Sequence, residues 1–581
     1  MEQASFRRLI DIGIALSVER DTARLLERIL LEAKDMGNAD GGTLYIRTKE
    51  DTLQFAIMRT DSLGIARGGT TGEAITLPEV AMCSADGAPN EKNVASYSAI
   101  TGETINIEDA YDSDEFDFSG AKGFDENTGY RSRSFLTVPL KNNQQDVIGV
   151  LELLNALDDA GEVVAFTDEI QPLIEALASQ AAVALENQNL IEAQKTLLDS
   201  FIELMASAVD AKSPYTGGHC QRVPELTKML TRAACDVGEG TFAEFDLSEE
   251  EWYELHIGAW LHDCGKVTTP EYVVDKATKL ETITDRIHEV RTRFEVVKRE
   301  AVIRHQQEVI AGRRDAGDER ELQAELARID DDFEFIAECN LGGEFMADER
   351  IERLQQIAER TYSRTLDNRL GVAQEELRRM QSTPPESLPV QEKLLQDRPD
   401  HIHEHDTEVY SADPDNPYGF RMEVPKHKYN KGEVYNLSIG RGTLTDEERF
   451  KINDHIVQTI VMLEQLPFPK HLERVPEIAG GHHEKMDGTG YPKRIMGGDM
   501  SVPARVMAIA DVFEALTAAD RPYKKPKTLS ESIRIMSFMV KDQHLDSELF
   551  RLFLESGVYR DYAGRYLMPS QVDEVQIADY F

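Results

Sequence analysis

Basic residues are scarce in this chain of 581 residues. Lys and Arg total 64 against 106 Asp and Glu, a formal charge of −42 spread along the whole length. Binding to nucleic acid relies on concentrated basic patches, and none is visible, so a nucleic-acid partner is not expected. Long apolar runs are also missing: nothing approaches the ~18 to 20 residues that cross a bilayer. The stretch Leu9 to Leu16 is short, is interrupted by Asp11 and lacks a small-residue cleavage signal, so it is not read as a signal peptide. Cysteine is sparse too. Cys83, Cys220, Cys235, Cys264 and Cys339 are odd in number and scattered with no CxxC pair, which argues against a disulfide framework and for the cytoplasm as the expected compartment.

Hydrophobic residues make up 41% of the chain and charged residues 29%, enough apolar material for globular cores. At ~100 to 200 residues per domain the length predicts two to four domains. Residues 1 to about 160 mix helical periodicity (Ile10, Ile14, Leu25, Leu26, Ile29, Leu30) with strand patterns at 43–48, 52–58, 134–141 and 146–154. Lys49-Glu50-Asp51 and Lys141-Asn142-Asn143 carry turn chemistry suited to antiparallel hairpins. An α+β module is expected. Its run Phe124 to Tyr130, continuing into Arg133 to Leu140 and Ile148 to Asn155, resembles a GAF domain over about 20–188. The resemblance implies a sensor or dimerisation domain. The cyclic-nucleotide signature is incomplete, with Asn155, Phe166, Asp168 and Glu169 present but Ala156 where a Lys would stand, so the GAF ligand stays unknown.

Beyond it, Leu190, Ala193, Leu197, Phe201, Leu204 and Ala208 step by three and four, the seam of a helix that pairs with a second copy or lies on its own domain. The first is favoured: a connecting signalling helix over 189–211 in a homodimer. From 281 to 380 two charged segments carry seams, Ile283, Ile287, Val290, Phe294, Val297 and then Leu322, Leu326, Ile329, Phe333, Ile336, separated by Gly312 to Gly317, which predicts an antiparallel helical hairpin. Residues 381–436 read as irregular, with six prolines between Pro384 and Pro417. Within them, His401-Ile402-His403-Glu404-His405 resembles a metal site, although neighbouring loop histidines are usually solvated.

The chemistry concentrates elsewhere. Of the 14 histidines, His219, His262, His455, His482 and His483 fall in short motifs with Asp and Gly: Gly217-Gly218-His219, His262-Asp263-Cys264-Gly265-Lys266, and His482-His483-Glu484-Lys485-Met486-Asp487-Gly488-Thr489-Gly490-Tyr491-Pro492, with Asp511 in a helix-like stretch. Imidazoles with carboxylates and no thiolate suit Fe, Mn, Zn or similar ions rather than a structural Cys-zinc site.

On these residues the chain is identified as resembling the HD-GYP family, the cyclic-di-GMP phosphodiesterase branch of the HD phosphohydrolase superfamily, over about 198–300 and 437–581. The resemblance implies an all-α bundle behind the GAF module, split by an insertion at 301–436. It implies that His219, His262, Asp263 and Asp511 hold one ion and that Asp263 bridges to a second held by His455, His482 and His483. Fe or Mn head the candidates, followed by Zn, Ni and Mg. A third ion is not expected, because Tyr215 stands where three-metal members carry Glu. Lys266 and Arg521 are expected to contact substrate phosphate, and Gly490, Tyr491 and Pro492 the substrate or a partner. The implied reaction is attack of a metal-bridging hydroxide on cyclic-di-GMP, giving pGpG and/or GMP, with Asp263 and Lys266 in the catalytic set. Alternatives are another cyclic dinucleotide such as cyclic GMP-AMP, or an inactive receptor or adaptor. A diguanylate cyclase is a candidate partner. His455 lies 193 residues beyond His262 because the insertion intervenes, so its geometry is the least secured by sequence.

Overall fold

The computed structural model describes residues 2–84, 87–212, 218–315, 319–343, 345–406, 409–519 and 526–581. The chain forms two compact units, Met1–Leu198 and Asp199–Phe581.

The first unit is the expected α+β module. Helices α1 (Glu2–Val18) and α2 (Thr22–Met36) precede strands β1 (Ala39–Arg47), β2 (Thr52–Thr60), β3 (Ile65–Gly68) and β4 (Val80–Ala81). Then come α3 (Val94–Thr101), β5 (Ile105–Ile107), α4 (Ser119–Thr128), β6 (Phe135–Lys141), β7 (Val147–Leu157), β8 (Val163–Val164) and α5 (Gln171–Lys212). The sheet runs β3-β2-β1-β7-β6-β5, with β4 on β2 and β8 on β7. Its pairings are antiparallel. The two expected hairpins are present, with Asp51 and Gln145 taking positive φ at their turns. The short strands β3, β4, β5 and β8 were not legible, because two to four residues hold too little alternation to register. Leu25, Ile29 and Leu30 of α2 meet Ile174, Leu177 and Ala181 of α5 in one core, each such burial stabilising by roughly 1.5–3 kcal/mol for the larger side chains.

Helix α5 continues for 42 residues, longer than the expected connector. It buries Ile202, Ala206 and Val209 and leaves the expected seam outward: Leu190, Leu197, Phe201 and Leu204 are each more than half exposed.

The second unit is mainly helical, as expected: α6 (His219–Asp236), α7 (Glu249–Leu261), α8 (Glu271–Val274), α9 (Ile287–Ile310), α10 (Arg320–Leu341), α11 (Asp348–Ala358), α12 (Gln374–Met380), α13 (Glu433–Leu437), α14 (Asp446–Glu464), α15 (Val475–Gly480), α16 (Val502–Thr517), α17 (Leu529–Lys541), α18 (Ser547–Glu555) and α19 (Val558–Tyr566). Leu226 and Leu230 of α6, Ile509 and Phe513 of α16, Ile533 of α17 and Phe553 of α18 share its largest core. Local chemistry sets the helix starts. Ser248 with Glu251, and Thr445 with Glu448, form reciprocal capping boxes at α7 and α14.

Helices α9 and α10 form the expected antiparallel hairpin, with Phe294 and Phe333 ring centroids 5.3 Å apart and Lys298 paired to Asp330 at 2.6 Å. Ile283 does not belong to that seam: it precedes α9 and is 91% exposed. The irregular stretch 381–436 contains only short elements, including Val390–Lys393, Ile402–His403 and Tyr429–Asn430 strands.

Candidate metal centre

Five segments supply the cluster. His219 is the first residue of α6, which starts after Gly218 in a left-handed conformation (φ 90°). His262 closes α7, Asp263 follows, and Lys266 lies in the 3-10 turn Cys264–Thr268. His455 sits mid-way along α14, His482 and His483 follow α15, and Asp511 lies in α16. Gly265 lets the turn press on α14. Its N–H donates to Thr459 Oγ1 at 2.9 Å, and a Cβ there would stand 1.9 Å from the His455 carbonyl oxygen.

The donor atoms of His219, His262 and Asp263 lie within 4.8 Å of one another, as do those of His455, His482 and His483. Asp263 belongs to the first group and reaches towards the second through His455. Its Oδ2 is 3.1 Å from His219 Nε2 and 3.3 Å from His262 Nε2, while its Oδ1 is 3.2 Å from His455 Nε2. Asp511 Oδ1 lies 3.4 Å from His219 Nε2, and Lys266 Nζ pairs with Asp263 Oδ2.

The backbone sets which nitrogen faces inward. Nδ1 of His262, His455 and His482 lies 2.7, 2.6 and 2.8 Å from the carbonyl oxygens of Ala259, Ile452 and Ala479, each three residues earlier. Each Nδ1 must therefore donate, which leaves the Nε2 lone pair free for the cluster. His455 Nε2, His482 Nε2 and Asp263 Oδ1 are buried without a hydrogen bond; the 3.2 Å approach of His455 to Asp263 lacks hydrogen-bond geometry. Orphaned buried acceptors cost free energy, and a cation among them removes that cost. The donor set thus fits borderline divalent ions.

The electrostatics are consistent with that fit. Burial opposes the charge on Asp263 and Asp511, yet Lys266 and His262 beside the first, and the His219 hydrogen bond to the second, hold both well below the usual carboxylate range. Burial pushes His482 down to about 4, reinforced by His262, and pushes His483 down, reinforced by His482 and His455, so both imidazoles are neutral. Burial would lower His219 as well, but hydrogen bonds to Asp263, Asp511 and Glu514 raise it.

Three side chains not singled out in the sequence complete the site. Glu514 Oε2 is 2.5 Å from His219 Nδ1, and its other oxygen takes Arg222 at 2.6 Å. The signal was present, since Glu514 is three residues after Asp511 and Arg222 three after His219, on the same helix faces. Glu484 is the third. Its carboxylate accepts the N–H groups of Lys493, Arg494 and Ile495 at 2.6, 3.1 and 3.2 Å, folding the Gly490-Tyr491-Pro492 loop back on the histidines. The Tyr491 ring stacks on His483 at 4.8 Å and 22°, and the Tyr491 N–H donates to the His483 carbonyl at 3.2 Å.

Three further readings of the sequence lie apart from this geometry. Arg521 and Tyr215 lie outside the described residues. The His401-to-His405 motif does not converge: His401 Nδ1 accepts from Arg398 N, His405 Nε2 lies 3.0 Å from the Pro425 carbonyl, and His403 packs against Tyr429. His401 ends the 3-10 turn Pro399–His401, His403 closes the two-residue strand Ile402–His403 and His405 follows it, so the three do not share the single face of one extended run.

Residues 21–185 match the GAF domain family and residues 389–549 the HD domain family. Among curated proteins, 3'3'-cGAMP-specific phosphodiesterase 1 of Vibrio cholerae is 36% identical over 150 residues, 24% of this chain and 33% of that protein. Cyclic di-GMP phosphodiesterase PA4108 of Pseudomonas aeruginosa is 37% identical over 140 residues, 24% of this chain and 30% of that one. The matched stretch spans about a third of these relatives' length. The GAF domain structure from Acinetobacter phosphoenolpyruvate-protein phosphotransferase aligns with 33% of this chain and 98% of that chain at 14% identity and a TM-score of 0.25.

Proposed function

From a chain that carries a GAF domain ahead of an HD domain, we propose a cytoplasmic, metal-dependent phosphodiesterase that hydrolyses cyclic-di-GMP to pGpG and/or GMP. The observation that carries the reading is the Asp263 carboxylate set between two histidine groups, His219 with His262 and His455 with His482 and His483. In this reading His219, His262, Asp263 and Asp511 hold one ion, and Asp263, His455, His482 and His483 hold the other. Two divalent ions, Fe or Mn before Zn, Ni or Mg, supply when bound an acidified water and positive charge for the phosphoryl oxygens.

The chain's own groups do the rest. Asp263 fixes the spacing of the two halves, and Glu514 with Arg222 orients His219. Lys266 pairs with Asp263, leaving one ammonium at the site to meet a phosphate. Tyr491, stacked on His483, closes the site on one side and positions the substrate there. Arg521 is kept as a second phosphate contact. The catalytic bundle is assigned to 198–300 and 437–581, split by the insertion at 301–436. The GAF domain is assigned to sensing, with the exposed Leu190-to-Leu204 seam joining two copies, and a diguanylate cyclase is kept as a candidate partner.

Relatives named as 3'3'-cGAMP-specific phosphodiesterases favour one second reading, cyclic GMP-AMP as substrate. The test is metal analysis with turnover of both cyclic dinucleotides on protein purified anaerobically with Fe(II) or Mn(II). About two metals per chain with release of pGpG or GMP is the expected result. Two metals with no hydrolysis of either substrate turns the reading to a receptor.

A further inference from the structure

The insertion separating His262 from His455 does not stay clear of the metal centre, for its final stretch returns to it. Asn416 closes a turn by accepting from Phe420 N at 2.9 Å and donating to the Phe420 carbonyl at 3.0 Å. That turn delivers Phe420 and Met422 onto Val457, Ile460 and Val461 of α14, the helix that carries His455, in one apolar cluster that Tyr491 also touches. The tail is fastened to the Gly490-Tyr491-Pro492 loop: Arg421 N donates to the Pro492 carbonyl at 2.7 Å, and Arg494 pairs with Glu423 at 3.0 Å.

Between this tail, the first half of α14 and the loop lies a cleft of about 650 Å³, bordered by Met422, Lys426, Arg449, Asn453, Thr489 and Tyr491. Its size is that of a small-molecule site. Tyr491 is the partition, bordering the cleft while its ring lies on His483. Tyr491 is what the cleft shares with the metal centre, whose proposed ligands do not themselves line it.

Of the acidic groups on its rim, Glu423 is taken by Arg494, Glu447 accepts from the Tyr435 hydroxyl at 3.1 Å, and Asp446 stands exposed in the first turn of α14. Lys426 and Arg449 are exposed, and their side chains make no hydrogen bond or ion pair among the described residues, in a chain whose formal charge is −42. A cyclic dinucleotide carries two phosphates, so with one at the metals the other nucleotide must occupy an adjoining space.

We propose that the insertion's tail is a wall of the substrate site, and that Lys426 and Arg449 hold the phosphate that is not being cut. This rests on the phosphodiesterase reading above. The insertion is then a specificity element: it separates substrates with a second phosphate from simple diesters.

The experiment compares Lys426→Glu and Arg449→Glu with the parent on cyclic-di-GMP, cyclic GMP-AMP and bis(p-nitrophenyl) phosphate, a diester with nothing to place in the cleft. The expected result is about a tenfold fall in the ratio of kcat/KM for cyclic dinucleotide to that for the simple diester, carried by KM. An unchanged ratio overturns the proposal. An equal loss on all three substrates also overturns it, because the residues then act through the metal centre. A parent protein that cuts the simple diester but no cyclic dinucleotide sinks the substrate reading itself, and that failure is read before any variant is made.

Discussion

Nδ1 of His219 and Oε2 of Glu514 lie 2.5 Å apart, and Arg222 grips the other oxygen of the same carboxylate. Burial works against ionisation of Glu514, but His219 and Arg222 keep its carboxyl below the usual range. The carboxylate thus fixes the ring so that Nε2 faces Asp263 and Asp511.

Glu514→Gln keeps the shape and removes the charge that raises the ligand's basicity. Metal affinity is expected to fall about 10- to 100-fold, the usual scale for a lost carboxylate behind a ligating histidine. Competition against a chromogenic chelator reads the change. Affinity within twofold of the parent would make Glu514 a merely structural contact.

Asp263→Ala should cost far more, since one carboxylate stands 3.1 to 3.3 Å from His219, His262 and His455. Turnover is expected to be abolished and metal content to fall, while the first unit stays folded on its own core. Both tryptophans, Trp252 and Trp260, lie in the second unit, so their fluorescence reports that unit alone. Retention of near-normal turnover would remove Asp263 from the mechanism.

Much of this was legible because metal-ligand residue types in a fixed order survive any insertion between them: His219, His262, Asp263, His455, His482, His483 and Asp511 all reach one region. Glu514 and Arg222 were passed over, because their spacing from Asp511 and His219 marks a shared helix face but names no contact until the partner helix is placed. The insertion's return to Tyr491 was equally hidden, since Phe420 and Met422 sit in a proline-rich stretch without periodicity. Ile283 was misplaced for the opposite reason, as an apolar residue at a plausible heptad step lies just before the helix begins.

Gly265 tests how tightly the turn and α14 are joined. A Cβ would meet backbone, 1.9 Å from the His455 oxygen and 2.5 Å from Thr459 N, so no rotamer change relieves it. Gly265→Ala is expected to cost at least the roughly 1–3 kcal/mol of an overpacked core, lowering the tryptophan-detected Tm and displacing His455. An unchanged Tm with full metal loading would show that the two elements separate freely.

Glu152 gives the first unit a pH dependence of its own. It lies on β7 opposite Thr43 and Thr137, with the Tyr45 hydroxyl 3.3 Å from Oε1 and no basic side chain ion-paired to it among the described residues. Burial pushes its carboxyl up to about 7, against the smaller pull of the Tyr45 hydroxyl that donates to it and of the Thr137 hydroxyl beside it. A carboxyl raised from 4.5 to about 7 binds more proton in the folded state across that window, so its contribution is fully present below 4.5 and is lost as pH rises through 7. The loss is at most a few kcal/mol, since a tenfold change in proton affinity is worth on the order of 1.4 kcal/mol. Unfolding of the first unit, followed by circular dichroism in the transition that tryptophan fluorescence does not see, should therefore move to lower temperature between pH 5 and about 7.5. Glu152→Gln should flatten that slope, because the amide has no charge to bury. A slope that persists in the variant would assign the pH dependence to other groups and leave Glu152 ionised at neutral pH.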